Sequence, residues 1–343
     1  MCAFLSILAV YLVLLQAPAV GTFHDDGVYL VTAKALAENQ GYRIISLPGD
    51  PPQTKYPVLF PWLLSLVWRL NPSFPANLPW LRLIPLAATV AWLCVSWALL
   101  RRLGASRRQA NAIVLLTAMS PWVAFLSTAL MSETVFALFL TAGLLWTTRA
   151  CQKDGTRFDP LIAGLLFGTA VLTRIAGIAP AAAGVVAFLG AKRWTPAAQC
   201  LLGIAVVVVP WFWWVSHHPP AASMDAYYSA TNYASWNIVT SYAWPEKLSV
   251  LLTNATVGGL AFTELWGPRI PYAVLALLLA AVALTLVCCG LWRTRREPVA
   301  ISMMAYCAIH AAWVWPPLRF AVPVVPLFLW LGFVGAAKPR RLG

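Results

Sequence analysis

Long apolar runs constrain this chain more than any other feature of its sequence. A helix needs ~20 apolar residues to cross the hydrocarbon core of a bilayer, and many stretches of the chain have apolar runs with flanks that fit spanning. They cover about residues 2–20, 80–100, 110–130, 133–149, 196–216, 270–292, 298–315 and 320–336. The pattern predicts an all-α, polytopic integral membrane protein.

Two further apolar stretches, about 160–173 and 176–191, are too short for two comfortable spans. They predict either a pair of helices that enters and leaves on one side or one long bent element, with Arg174 at its apex. With them, we expect about 9–10 transmembrane or partly re-entrant helices in a single domain over residues 1–343. The first run lacks a basic segment in front of it, so we interpret it as a retained helix rather than a signal peptide.

The composition places the chain among membrane proteins and argues against nucleic-acid binding. It is 61% hydrophobic and only 10% charged, far from the composition of soluble domains. The formal net charge of +13 comes from basic residues in short segments between apolar runs, where they indicate topology. The 7 cysteines show no CxxC or Cys/His ligand spacing and are interpreted as packing residues.

The basic residues also predict how the chain is threaded through the membrane. With the N-terminus in the cytoplasm, most of the 24 Lys and Arg residues fall in short cytoplasmic segments, as the positive-inside rule requires. The opposite side then carries two large loops, 21–79 and 217–269. The first is expected to hold an amphipathic helix at about 26–39 and an interfacial helix at about 57–70. The second is rich in Tyr, Trp and Asn, and aromatic residues of this kind commonly line a membrane interface.

Acidic residues are scarce, and three of them are predicted at this outer face. Asp25 and Asp26 stand side by side after the first apolar run, in a chain with only 11 acids. Such groups are costly near a bilayer unless they are hydrated or paired, which makes them candidates for a site. Helix capping by Asp25 is the alternative, worth ~1 kcal/mol. Glu133 follows Ser132, which itself fits a helix cap. Because Glu133 is expected at the same membrane face as Asp25, two acids converging on one outer cavity favour a functional site.

Three basic residues are expected near these acids. Arg174 interrupts a Gly/Ala-rich apolar stretch and needs an anionic partner, either a ligand phosphate or a protein carboxylate. Lys55 precedes Tyr56 and the interfacial helix, and either extends to water or holds a lipid phosphate as a point charge. Arg319, at the outer end of the last helix, is a second phosphate candidate or a snorkelling flank.

Metal binding receives little support from the sequence. His217 and His218 are adjacent, so their side chains point apart and are poorly placed to share an ion. We expect that no cofactor is required. A weakly bound divalent ion at Asp25 and Asp26 is the alternative left open.

These residues occur together, and in this order, in the C-type glycosyltransferase superfamily, which the chain resembles over roughly residues 1–336. It is most similar to the branch that contains the protein O-mannosyltransferases and the lipid A aminoarabinose transferase. Five short motifs carry the resemblance, namely D-D-x-x-Y at 25–29, K-Y-P at 55–57, S-E at 132–133, L-T-R-x-x-G at 172–177 and R-F-x-x-P-x-x-P at 319–326. Two positions depart from it: Asp26 replaces the commoner Glu, and Val58 replaces a second proline.

The resemblance implies an enzyme that moves a sugar from a polyprenyl-phosphate donor to a hydroxyl of a lipid, glycan or protein acceptor. In-line attack would invert the anomeric carbon. The implied site lies on the outer or lumenal face of an inner, plasma or ER-like membrane. Its residues are the catalytic acids Asp25 (the base), Asp26 and Glu133, the phosphate ligands Lys55, Arg174 and Arg319, and the supporting Tyr29 and Tyr56. Whether Asp26 and Glu133 hold the acceptor or orient Asp25 is not separated by the sequence.

Two other classes of protein remain as alternatives. A transporter or lipid flippase would place ionisable residues at mid-membrane and repeat its broken helices in two related halves. A non-catalytic membrane scaffold would use its acids only to cap helices. The loss of function on an isosteric Asp25→Asn change would argue against the scaffold.

Overall fold

The computed structural model describes residues 9–15, 20–21, 23–218, 242–266, 273–311 and 318–337. Residues 9–15 are helical. The helices after them are α1 (His24–Ala37), α2 (Leu59–Leu70), α3 (Leu78–Arg102), α4 (Arg107–Ala118), α5 (Pro121–Thr128), α6 (Glu133–Cys151), α7 (Asp159–Thr173), α8 (Ile178–Gly190), α9 (Trp194–His217), α10 (Trp244–Glu264), α11 (Ala273–Arg293), α12 (Pro298–Ala311), α13 (Leu318–Ala321) and α14 (Val325–Ala336). The described ranges hold no strand, and one isolated bridge joins Arg43 and Pro52. The all-α class is confirmed.

Five helical segments in the described residues are long and apolar enough to cross a membrane. They are α3, α6, α9, most of α11 and the segment that runs from α13 through α14. A sixth crossing is formed if α4 and α5 are taken together, although they meet at an angle of 63°. The helices α2, α7, α8 and α12 are also apolar but have only 10–17 residues, fewer than a membrane crossing needs.

The predicted run at 110–130 is broken rather than continuous. Helix α4 ends at Ala118, and α5 starts at Pro121, with the Ser120 side chain accepting from the backbone amide of Val123. A proline disfavours helical backbone in the residue before it, and Ser120 accordingly has an extended ψ of 123°. The break therefore follows from one proline in an otherwise apolar run.

The segment around Arg174 resolves into two short helices. Helix α7 ends at Thr173, and Arg174 has extended backbone angles, with φ at −149° and ψ at 129°. A single 3₁₀ turn then leads into α8. The first of these helices packs on α6 and α9, and the second packs on α12. Arg174 thus lies at the break, where its side chain can leave the path of both helices.

The first large loop contains the two helices that its sequence predicts, with slightly different bounds. Helix α1 begins at His24 instead of 26, and α2 begins at Leu59. Tyr29, Leu30 and Ala33 of α1 are buried against α2 in one apolar cluster, as the helical periodicity predicts. This cluster fixes the first turn of α1, and with it both aspartates, against the membrane helices.

The second large loop differs from the expectation. Much of it, 219–241, lies outside the described residues. Helix α10 occupies 21 residues of the segment that was expected to be a loop. Its N-terminal turn carries Glu246 and Lys247, and a Gly-Gly pair interrupts its apolar residues. These polar and flexible residues lower the hydropathy of the segment, so that it did not resemble a spanning helix.

Glycines bring α11 and α14 unusually close together. A Cβ atom added at Gly290 would lie 2.1 Å from the backbone oxygen of Leu331, and one added at Gly335 would lie 1.9 Å from that of Leu286. Small residues allow this backbone-to-backbone approach between membrane helices.

We expect Gly335→Ala to destabilise the protein, because the methyl group would push α14 away from α11. Overpacking of this kind typically costs about 1–3 kcal/mol. Gly332→Ala on the same helix is the matched control, since a Cβ there has open space. Thermal unfolding of both variants in detergent would check this, and equal midpoints would contradict the close packing.

Candidate active site

Asp25 lies in the first turn of α1 and is buried, with only 8% of its surface exposed. The Tyr56 hydroxyl donates to its Oδ1 at 2.5 Å, and Nη2 of Arg319 donates to its Oδ2 at 2.5 Å. Burial raises the pKa of Asp25, but the charge of Arg319 and the Tyr56 hydrogen bond outweigh burial and hold the pKa below its usual value. Asp25 is therefore ionised at neutral pH.

The neighbouring carboxylate, Asp26, faces the start of its own helix. It accepts hydrogen bonds from the backbone amides of Gly21 and Gly27, both at 2.8 Å. The alternative that Asp25 caps the helix is wrong, because α1 begins at His24, two residues earlier than such a cap requires, and Phe23 occupies the cap position. Asp26 instead satisfies free amides at this end and anchors the chain entering the helix.

Glu133 opens α6 and is fully buried. Its Oε1 lies 2.8 Å from Nη1 of Arg174 and 3.7 Å from Nε of Arg319. The partner of Arg174 in this structure is thus a protein carboxylate, one of the two alternatives that the sequence left open. Arg319 contacts both acids, so it is not a snorkelling flank.

A hydroxyl joins α1 to this ion pair. Ser132 occupies the cap position of α6 but makes no capping hydrogen bond, so the alternative that it caps the helix is wrong. Its Oγ accepts from Nη1 of Arg174 at 3.1 Å and lies 3.0 Å from the hydroxyl of Tyr29. The long-range contacts of α1 and of Arg174 rotate the serine away from the helix amides and into the site.

The loop that carries Lys55 and Tyr56 is held by residues that sequence reasoning missed. The side-chain oxygen of Gln53 accepts from the backbone amides of Lys55 at 2.7 Å and Tyr56 at 3.2 Å. The Tyr42 hydroxyl donates to the backbone oxygen of Tyr56 at 2.8 Å. Trp214 of α9 donates to the backbone oxygen of Gln53 at 3.1 Å. Nothing in the local sequence distinguishes these side chains from ordinary loop residues.

Lys55 is half-buried beside Tyr56, with its Nζ 4.9 Å from the centre of the tyrosine ring. Burial lowers the pKa of Lys55 to about 8, in part opposed by the charge of Asp25. A half-buried ammonium group is a compact point charge of the kind that binds an anionic ligand such as a phosphate.

Phe320 lies beside both arginines, a role that the sequence did not indicate although the residue belongs to the motif at 319–326. The guanidinium carbon of Arg174 lies 5.1 Å from the centre of its ring, and that of Arg319 lies 4.9 Å away. The Tyr306 hydroxyl donates to the backbone oxygen of Phe320 at 2.7 Å and fixes its position. Both guanidinium groups therefore lie close to the same aromatic ring.

The same phenylalanine borders an apolar cavity of about 290 Å³ between α10, α11, α12 and α14. Its lining includes Leu284, Val287, Phe320 and Phe328, with His310 as one of few polar side chains. The cavity and the charged cluster therefore share a wall. This places an apolar compartment directly beside two arginines.

The site as a whole combines two carboxylates with three cations. The structure brings together Asp25, Glu133, Lys55, Arg174 and Arg319, with the supporting hydroxyls of Tyr29, Tyr56 and Ser132. Asp26, the next residue, accepts from two backbone amides at the start of α1. Over the residues that the structure describes, no three His, Cys, Asp or Glu side chains form a group that could hold a metal ion.

A family model described as Glycosyltransferase family 87 matches residues 56–317, so the match starts at the Tyr56 of the site. A comparison with curated proteins finds no match.

Solved structures resemble the whole chain at low sequence identity. ArnT from Cupriavidus metallidurans bound to undecaprenyl phosphate has a TM-score of 0.63 at 18% identity, over 99% of this chain and 60% of that one. AglB, the archaeal oligosaccharyltransferase from Archaeoglobus fulgidus in complex with an inhibitory peptide and a dolichol-phosphate, has a TM-score of 0.51 at 15% identity, over 96% of this chain and 50% of that one. At these identities the likeness establishes the fold, and this chain spans 60% of the length of the ArnT chain and 50% of that of AglB.

Proposed function

Because this chain belongs to glycosyltransferase family 87, a membrane family with the C-type fold, we propose that it transfers a sugar from a polyprenyl-phosphate donor to an acceptor hydroxyl. The resemblance to the C-type superfamily is confirmed. One observation supports the choice of donor: a cluster of three cations and two buried carboxylates shares a wall with an apolar cavity. Only an amphipathic, anionic ligand would use both parts.

The chemistry requires a base, a set of phosphate ligands and a place for the lipid. Asp25 takes the proton of the acceptor hydroxyl, whose oxygen then bonds to the anomeric carbon of the sugar. The bond from that carbon to the donor phosphate breaks, and the phosphate leaves on its lipid with the bonding electron pair. Lys55, Arg174 and Arg319 stabilise the charge that develops on it. Attack opposite the leaving phosphate inverts the anomeric centre.

The apolar cavity is proposed to receive the first isoprene units of the donor. Its shared wall, Phe320, would place the phosphate against the arginines while the lipid chain extends between the helices. ArnT and AglB were solved with lipid phosphates, which supports a donor of this class. Sugar and acceptor are not part of the proposal, since the described residues select neither.

The orientation of the chain follows the charge pattern. We place the N-terminus in the cytoplasm and the active site on the outer or lumenal face, since this arrangement keeps most basic residues in short cytoplasmic segments. Helix α1, with Asp25, and the loop that leads into α2, with Lys55 and Tyr56, then lie at the surface of the bilayer core.

A panel of radiolabelled polyprenyl-phosphate sugars tests the proposed function. Purified wild-type protein is expected to release sugar from one member, to water or to an added membrane extract, whereas the Asp25→Asn variant does not. A parallel incubation with EDTA should give the same rate, because the phosphate ligands proposed here are side-chain cations. Binding of lipid phosphates without Asp25-dependent release from any donor would favour a transporter or scaffold instead.

Donor binding should weaken as the pH rises through about 8. Lys55 has its pKa lowered to about 8 by burial, so the free protein loses this ammonium charge above that pH. We expect the dissociation constant for a polyprenyl phosphate to rise by up to about tenfold per pH unit there. Lys55→Arg is the matched variant, since a guanidinium stays charged. A wild-type affinity that is independent of pH up to about 9.5 would exclude Lys55 as a phosphate ligand.

A further inference from the structure

Arg319 serves two anions at once in this structure. Its Nη2 is 2.5 Å from Asp25, and its Nε is 3.7 Å from Glu133. The same guanidinium lies against the rings of Phe320, at 4.9 Å, and Phe23, at 5.5 Å. It is therefore the group that links the base to the proposed phosphate cluster.

Asp25 is poorly suited to accept a proton while it keeps this partner. A carboxylate in a charge-assisted hydrogen bond with a guanidinium is stabilised in its ionised form. The Tyr56 hydroxyl stabilises the same form from the other oxygen. Arg174 and Lys55 are the further charged groups acting on Asp25 from neighbouring elements. The arrangement holds the base in place but reduces its basicity.

Glu133 does not depend on Arg319 in the same way. Its closer partner is Arg174, at 2.8 Å. If Arg319 moves away, the fully buried Glu133 therefore keeps Arg174 as its charged partner. Asp25 is the carboxylate that loses its ion pair.

We propose that the donor phosphate and Asp25 compete for Arg319, so that donor binding releases the base and prepares it for the acceptor. This inference rests on the proposed function, because it assigns the phosphate to the same cluster. It gives the site an order of events, in which Asp25 gains basicity only after the donor is bound. An acceptor arriving first would meet a carboxylate that is still paired.

The competition predicts that a loss of charge at Asp25 improves binding. Asp25→Asn should bind a polyprenyl phosphate without sugar about tenfold more tightly than wild type, because Arg319 no longer has a charged partner to leave. Asp25→Glu keeps the charge and should not tighten binding. In an Arg319→Gln background, Asp25→Asn should lose its effect, as a double-mutant cycle requires when one contact carries the coupling.

The experiment is a titration of each purified variant with polyprenyl phosphate, followed by intrinsic fluorescence or thermophoresis. Equal or weaker binding by Asp25→Asn, while wild type binds and transfers sugar, overturns the competition and leaves the proposed function standing. Absence of binding and of transfer by wild type overturns both.

A second measurement uses the wild-type protein alone and does not depend on the folding of variants. Carbodiimide labelling of Asp25, read by mass spectrometry, should change in rate when polyprenyl phosphate is added, with faster labelling expected once Arg319 has moved. Unchanged or slower labelling at saturating lipid phosphate counts against the release of Asp25.

Discussion

Asp25→Asn is expected to abolish sugar transfer while the protein still folds and still binds a lipid phosphate. The amide has the shape of the carboxylate and can accept from Tyr56, but it cannot take a proton from the acceptor. General-base catalysis contributes about 10²–10⁴-fold to a rate, so turnover should fall by about that factor. Initial rates with the active donor from the panel, beside thermal unfolding of both proteins, would measure it.

The Asp26→Asn variant distinguishes the role of Asp26 from that of the proposed base, Asp25. Because Asp26 accepts two backbone amides, its replacement is expected to reduce stability by about 1 kcal/mol and to change the rate much less than Asp25→Asn does. Near wild-type turnover in Asp25→Asn would remove Asp25 as the base. Loss of turnover in Asp26→Asn at full stability would transfer that role to Asp26.

The features that the sequence predicted well are those that a local pattern determines. Apolar runs of about 20 residues gave most of the membrane helices, and rare charges in apolar surroundings pointed to Asp25, Glu133 and Arg174. Such charges need partners, and in a chain with few charges the partners are limited. Because so few charged residues are available as partners, the acids and arginines come together in one cluster.

The features it could not predict depend on contacts between distant segments. Gln53 is an ordinary loop residue until the loop folds around its side-chain oxygen. Ser132 has the sequence signature of a cap, yet Tyr29 and Arg174, which lie 103 and 42 residues away, occupy its hydroxyl. The capping alternative for Asp25 fails because a helix that starts two residues earlier changes which side chain meets its free amides.

Arg174→Gln is expected to have two separable effects, one on stability and one on catalysis. The change leaves Glu133 fully buried without its 2.8 Å partner, and breaking such a pair typically costs about 3–5 kcal/mol. It also removes a proposed phosphate ligand, for which a rate loss of about 10²–10³ is expected by analogy with other donors to a developing anion. Thermal unfolding and initial rates would record the two effects.

The double variant Arg174→Gln with Glu133→Gln distinguishes these roles. Removing both charges restores an uncharged, hydrogen-bonding pair, so most of the lost stability should return. The phosphate would still lack its ligand, so the rate should stay low. Recovery of stability together with full activity would mean that Arg174 acts only by neutralising Glu133, and the donor phosphate would then depend on Lys55 and Arg319. Persistent inactivity in a stable double variant, with Glu133→Gln alone still active, would instead assign Arg174 to the donor itself.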